Sequence, residues 1–435
     1  MKNILFFLLF IIIFSYSKSE IKNKKPKHGQ DCTPEEGCDK GLSCIFYRCT
    51  TEFEKENMDT LGLSRQTFCD NFNFCPSNQK CFEHRCIDIQ IEENYDDTTI
   101  YNNNEIKAHL LFTGSILLDR RAFKSGEKGK DKYNYEHLFK YITKLIKSSD
   151  LSVTNMETIF YIKEDISDKN FPLKINNTPK ELGDALAYAG FRVILHGSAF
   201  SYSLKDKGIT NTLNFWEANY PFIKILGISR NEDESENNFF IYKIGKIRIG
   251  IINFSAFKSD KIPENHKFMV NTISNEKVGR IMEKLKNQTD FNIVCINWGE
   301  KNGMKPNKRQ IYIAKKLADF GIDLIIGNHP YYVQPVSYVY SNKGNKVLVF
   351  WSLGLFVGDV NKSKNITLGA LADIKIIKKN GKVFVGKYNM IPIVNHISES
   401  NEYSIYKLND YNEIIGKKII STERCKSIFG SFSNC

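Results

Sequence analysis

A chain of 435 residues has room for two or three domains, and 42% hydrophobic with 13% aromatic residues excludes a wholly disordered, collagen-like or polytopic membrane protein. Sixty-one Lys and Arg against 49 Asp and Glu leave a net charge of +12, which favours contact with anionic surfaces. Much of that excess is lysine in a chain also rich in Asn and Ile.

The N-terminus reads as a secretory signal peptide over residues 1–19. Met1-Lys2-Asn3 precedes the apolar run Ile4 to Phe14, and small residues follow at Ser15, Ser17 and Ser19. The run is shorter than the roughly 20 residues of a spanning helix. No other stretch is suited to span a bilayer, so the mature chain is expected to be secreted or lumenal and to carry no transmembrane segment. A basic tail fills residues 20–31.

Two cysteine clusters come next. Cys32, Cys38, Cys44 and Cys49 (residues 32–49) have the same spacing as Cys69, Cys75, Cys81 and Cys86 (residues 69–86). Each unit is too small for a core and is expected to be held by two disulfides; four cysteines allow three pairings, and the spacing does not choose among them. Zinc knuckles are lacking. The units resemble small four-cysteine secreted modules, which implies an interaction or spacer role. An acidic and polar linker, residues 87–105, follows.

From 106 to 435 apolar runs alternate with amphipathic segments, which predicts an α/β domain. The strand candidates are His109–Thr113, Leu151–Asn155, Arg192–Leu195, Arg248–Asn253, Asn292–Asn297, Asp323–Ile326 and Lys346–Trp351. Several are continuous β-branched runs, as in strands buried on both faces. Helices are predicted from the spacing of Tyr135, Leu138, Phe139, Ile142, Leu145 and Ile146, after Thr178 as N-cap with Pro179 and Glu181 and ending before Gly190, through Val278, Ile281, Met282 and Leu285, and from Lys308 to Gly321.

In such a sheet the chemistry belongs to the loops after strand C-termini. Those loops read, in order, Phe112-Thr113-Gly114-Ser115, Asn155-Met156-Glu157, His196-Gly197-Ser198-Ala199, Asn297-Trp298-Gly299-Glu300, Gly327-Asn328-His329-Pro330-Tyr331 with Gln334-Pro335, and Ser352-Leu353-Gly354-Leu355-Phe356. Over roughly Ile106 to Ile393 this series resembles the bacterial capsule-synthesis family (CapA, poly-γ-glutamate capsule type). The resemblance implies a metallophosphatase-like layered sandwich of sheets flanked by helices.

It also implies a metal site whose ligands can be compared one by one. Asn155 and Glu157 match the family's N-L-E block, and His329 matches the first imidazole of H-P-H. Ser115 stands where the family has Asp, while Ala199, Asn297 and Tyr331 stand where it has His. A two-metal hydrolytic centre needs several carboxylates and imidazoles. Glu157 and His329 cannot supply that alone, and the nearby His196 and Glu300 are the residues that could compensate.

The resulting expectation is a non-catalytic extracellular binding protein with no cofactor. Its partner would be an unknown protein or a polyanionic surface, and no specific nucleic acid. The alternative is a divergent metal-dependent hydrolase or a capsule-related enzyme, which would require divalent metal ions. No other catalytic motif is present, and His109, His137, His266 and His396 read as structural. Cys295, inside an apolar strand, reads as a buried inert thiol. Cys425 is expected to pair with Cys435. Asn253 heads a glycosylation sequon but sits too close to the sheet to be modified.

Overall fold

A computed structural model describes residues 106–129, 132–160, 177–257, 262–358, 368–398, 403–415 and 420–429, and the backbone of four short strands nearer the N-terminus. The chain forms two compact units, Met1–Asp96 and Asp97–Cys435. In the first, β1 (Leu42–Ile45) pairs antiparallel with β2 (Arg48–Thr51), and β3 (Gln79–Phe82) with β4 (Arg85–Asp88). Cys44 lies opposite Cys49 and Cys81 opposite Cys86, so the two repeats share a register as well as a spacing. The signal peptide, the basic tail, Cys32, Cys38, Cys69, Cys75, the linker and Cys435 lie outside the described residues.

The second unit contains, in chain order, β5 (Ile106–Ile116), β6 (Leu151–Met156), β7 (Ile159–Phe160), β8 (Asn177–Thr178), β9 (Val193–Leu195), β10 (Lys224–Leu226), β11 (Phe239–Ile244), β12 (Ile247–Ser255), β13 (Phe291–Asn297), β14 (Leu324–Asn328), β15 (Val333–Tyr340), β16 (Lys346–Leu353), β17 (Leu355–Val357), β18 (Leu368–Lys379), β19 (Lys382–Ile397) and β20 (Tyr403–Lys407). Its helices are α1 (Arg120–Ser125), α2 (Thr143–Lys147), α3 (Glu181–Ala189), α4 (Lys205–Asn219), α5 (Glu232–Glu236), α6 (Asn275–Leu285), α7 (Lys308–Asp319), α8 (Leu408–Ile415) and α9 (Thr422–Phe429).

Two sheets stack face to face. One runs β10-β9-β6-β5-β18-β19-β20 with β17 also on β5; the other runs β11-β12-β13-β14-β16-β15. Leu110, Phe112, Val153 and Leu195 from the first sheet meet Ile249, Ile293, Ile326 and Phe350 from the second in one core. The outer face of the first sheet packs on α3 and α4 through Leu182, Leu186 and Trp216. The outer face of the second packs on α6 and α7 through Ile281, Leu285, Ala314 and Leu317. The α/β layered sandwich expected from the sequence is therefore present, its inner strands buried on both sides.

Strand periodicity dictates where this core stops. Alternate residues face one way, so each inward row continues the core until its strand ends. Leu151 and Val153 lead to Asn155, Ile249 and Ile251 to Asn253, Ile293 and Cys295 to Asn297, and Leu324 and Ile326 to Asn328. Three of these rows end in a buried asparagine and that of β12 passes Asn253 to end at buried Ser255, so a polar layer closes the apolar core.

Two helix expectations are corrected. The segment from Tyr135 to Ile146 is a 3-10 turn, Glu136–Phe139, followed by the short α2, because the Ile142 N–H bonds to the Phe139 carbonyl three residues back. Thr178 is not an N-cap; its hydroxyl bonds to that of Thr158 at 2.5 Å, and α3 begins at Glu181 without a side-chain cap. Asn253 is fully buried, accepts from the Gly197 N–H and donates to the Cys295 carbonyl, so its amide is fixed inside the fold. Cys295 is free and buried, and burial pushes its thiol far up, as expected of an inert side chain. Cys425 is buried on α9.

Gly227 shows how tightly this layer is built. Its φ is +95°, and a Cβ there would lie 2.1 Å from both Asn253 Oδ1 and the Gly197 nitrogen, the two ends of one hydrogen bond. Gly227→Ala is expected to destabilise the α/β unit by about 4 kcal/mol or more, combining left-handed strain with a lost buried bond. An unchanged urea midpoint would show that the layer can yield.

Candidate functional site

The site lies where strand C-termini of both sheets converge. Ser115 ends the inward reach of β5, Asn155 that of β6, Asn297 that of β13, and Glu157 and His329 follow β6 and β14 directly. Glu157 is completely buried. Its Oε1 accepts from the Ser115 hydroxyl at 2.6 Å and from Asn297 Nδ2 at 3.3 Å; its Oε2 accepts from the Tyr331 hydroxyl at 3.0 Å and lies 3.3 Å from His329 Nδ1. Asn155 Nδ2 in turn donates to Ser115 Oγ at 3.1 Å.

The fold therefore brings together six of the seven family-matched positions around one carboxylate. Three of the substituted residues, Ser115, Asn297 and Tyr331, each donate a hydrogen bond to the retained one. Ala199 offers only a methyl group, and its loop is tied down by Ser198, whose hydroxyl donates to the Glu157 carbonyl at 2.9 Å. Burial, reinforced by the Glu157 charge, drives the Tyr331 hydroxyl far above its ordinary range. The phenol thus stays a proton donor to Glu157.

Backbone strain marks the same loop. His329 and Tyr331 have φ of +93° and +65°, values that side-chain-bearing residues seldom adopt. Each such residue costs on the order of 1–3 kcal/mol unless its surroundings impose it. Here Glu157 holds both rings, and Phe257 packs against His329 with ring centres 4.2 Å apart.

Neither compensating candidate joins the cluster. His196 is buried, its Nδ1 bonds to the Thr158 carbonyl at 3.0 Å, and its Nε2 accepts from Trp216 Nε1 at 3.3 Å. Both ring nitrogens are spent, and burial lowers its pKa to about 4, so it is a neutral structural residue. Glu300 is exposed and accepts from Asn307 Nδ2. Neither side chain takes the place of a substituted ligand beside Glu157.

The donor set does not suit a two-metal centre. Glu157 is a single carboxylate already engaged by four groups, and among the described residues no group of three or more His, Cys, Asp or Glu could hold a metal ion. Asn297 Oδ1 and Asn328 Oδ1, neighbours across β13 and β14, are buried acceptors without a hydrogen-bond partner. Asn297 is oriented by Glu157, which takes its amide protons and leaves the oxygen over. Two neutral amide oxygens add no charge to offset two cations.

Gln334 belongs to the series read from the sequence, whereas Phe200 and Phe257 escaped that reading. Gln334 Nε2 donates to the carbonyls of Gly303 and Lys305, and its Oε1 accepts from Gln310, so the loop after β13 is pinned from beneath. Phe200 and Phe257 flank His329. Loop aromatics carry no periodic signal that could have singled them out. Within the described residues no helix is long and apolar enough to cross a membrane.

The chain is 26% identical over 298 residues to the PGA biosynthesis protein CapA of Bacillus subtilis, covering 66% of this chain and 71% of that protein. It is 25% identical over 270 residues to the capsule biosynthesis protein CapA of Bacillus anthracis, covering 60% of this chain and 61% of the other, less than two thirds of its length. Similar solved structures include the NAD nucleotidase of Haemophilus influenzae, at TM-score 0.44, 11% identity and 73% and 57% coverage of this chain and that one. A calcineurin-like phosphoesterase, YfkN of Bacillus subtilis, has TM-score 0.39, 13% identity and 66% and 90% coverage. Residues 109–360, more than half of the chain and every loop of the site, match the profile of the bacterial capsule synthesis protein PGA_cap, and the chain belongs to that family.

Proposed function

We propose that this protein is a secreted, catalytically inactive member of the family, acting as a binding or interaction protein through its former cleft or its cysteine modules. One observation carries the reading. Ser115, Asn297 and Tyr331, at positions where the resemblance implies metal ligands, all donate to Glu157 and fill its coordination capacity. A carboxylate so engaged needs no cation to be stable in its burial. The signal-peptide pattern and the eight clustered cysteines support an oxidising, extracytoplasmic compartment.

A second reading, a divergent metal-dependent hydrolase, is favoured by the two partnerless amide oxygens of Asn297 and Asn328. The two readings separate on hydrolysis of bis(p-nitrophenyl) phosphate with Mn²⁺, Fe²⁺ or Zn²⁺ supplied in turn. The binding-protein reading expects no rate above buffer. Metal-dependent turnover that disappears in Glu157→Gln would overturn it.

A further inference from the structure

Several basic side chains elsewhere on the domain are matched to acids: Arg230 to Glu217 and Glu234, Arg248 to Asp290, and Arg280 to Glu236. The segment from Glu300 to Asp319 departs from this. It carries six basic residues, Lys301, Lys305, Lys308, Arg309, Lys315 and Lys316, against two acids, Glu300 and Asp319. Its acids are taken by neutral partners, Glu300 by Asn307 and Asp319 by Asn342. Among the described residues no ion pair joins Lys301, Lys305, Lys308, Lys315 or Lys316 to an acid.

The geometry gathers these charges on one track. On α7 the buried side is Gln310, Ala314, Leu317 and Ala318, which leaves Lys308, Tyr312, Lys315 and Lys316 along the opposite face at one-turn intervals. Tyr312 is 59% exposed, with Lys316 over its ring at 5.8 Å. Lys305 and Lys301 extend the track along the loop pinned by Gln334, and Lys301 Nζ stands 5.8 Å from the Tyr331 ring of the site. Helix α7 and the pinned loop thus fix the backbone from which these lysines project.

We propose that this track binds a linear anionic polysaccharide. The inference does not depend on whether the Glu157 site holds metal. A line of lysines with few opposing acids suits a polymer that carries regularly spaced anionic groups. Arg309, the one arginine of this segment, donates through Nη2 to the Ala256 carbonyl. A single exposed ring, Tyr312, offers one face for a sugar, while binding of a nucleic-acid strand stacks successive bases on several rings.

The test uses the full-length secreted chain and a heparin dodecasaccharide as probe, titrated over a range of salt. Lys305→Ala/Lys308→Ala/Lys315→Ala is expected to weaken binding at least about ten-fold and to reduce the slope of log K against log salt by roughly 2–3. Removing the same charge elsewhere, at the ion-paired Lys267, Lys286 and Lys407, should change affinity by less than about two-fold. Tyr312→Ala should weaken binding several-fold with the slope unchanged. Equal losses in the two triple variants would mean diffuse attraction to net charge and would overturn the site. A single-stranded dT12 bound as tightly at the same salt would overturn the assignment to polysaccharide.

Discussion

Replacing Glu157 with Ala is expected to lower the stability of the α/β unit by about 3–5 kcal/mol. The change leaves the Ser115 hydroxyl, the Asn297 amide, the Tyr331 hydroxyl and His329 facing a buried void with no acceptor. It also removes what holds the left-handed His329 and Tyr331 in place. Glu157→Gln keeps the volume but turns one acceptor into a donor among donors, so a loss of about 2 kcal/mol is expected. If Glu157 were instead a metal ligand, removing it from the metal-free protein would relieve an unpaired buried charge and leave stability unchanged or raised. Urea unfolding of the three proteins after chelation distinguishes these outcomes.

The second large effect is on acid stability. His196 has a folded pKa of about 4 against an ordinary 6.5, with burial as the main cause. Because its folded value is depressed, its contribution is fully present above pH 6.5 and is lost as pH falls towards 4, by roughly 3 kcal/mol. Asp323, pushed up to about 6 by burial, works in the opposite sense over much of that window. His109, raised chiefly by its hydrogen bond to Asp373, loses its contribution only as pH rises above 6.5. The readout is therefore the difference between wild type and His196→Gln. The variant should be less stable at pH 7, and the gap should close as pH falls from 6.5 to 4. A gap independent of pH would mean that His196 is not buried and neutral.

The inner strands β5, β6, β9, β12, β13, β14 and β16 were legible as apolar runs, because they are buried on both faces, whereas the partly buried β10 and β11 were overlooked. Asn292–Asn297 was expected and Phe291–Asn297 is found; Asp323–Ile326 became Leu324–Asn328. The long hairpin of β18 and β19 was overlooked although Asn380-Gly381 marks its turn, both residues taking positive φ. Helix α4 was overlooked although Ile209, Leu213 and Trp216 recur at helical spacing; its other buried positions, Gly208 and Thr212, add little apolar signal, and no side-chain cap marks its start. At the site, residue identity showed which ligand types had changed. That three replacements would converge on the retained carboxylate was not legible, since it depends on inward rows of two different sheets ending at the same edge.

In the function proposed above, the pocket that holds metal in the family is here a hydrogen-bonded cluster closed around Glu157. Metal stoichiometry tests it most directly, measured on protein secreted into an oxidising medium and dialysed against Mn²⁺ or Zn²⁺, beside a Ser115→Asp/Ala199→His/Asn297→His/Tyr331→His variant. Wild type is expected to retain substoichiometric metal and the folded variant to take up more. Two tightly held ions per wild-type chain would contradict it.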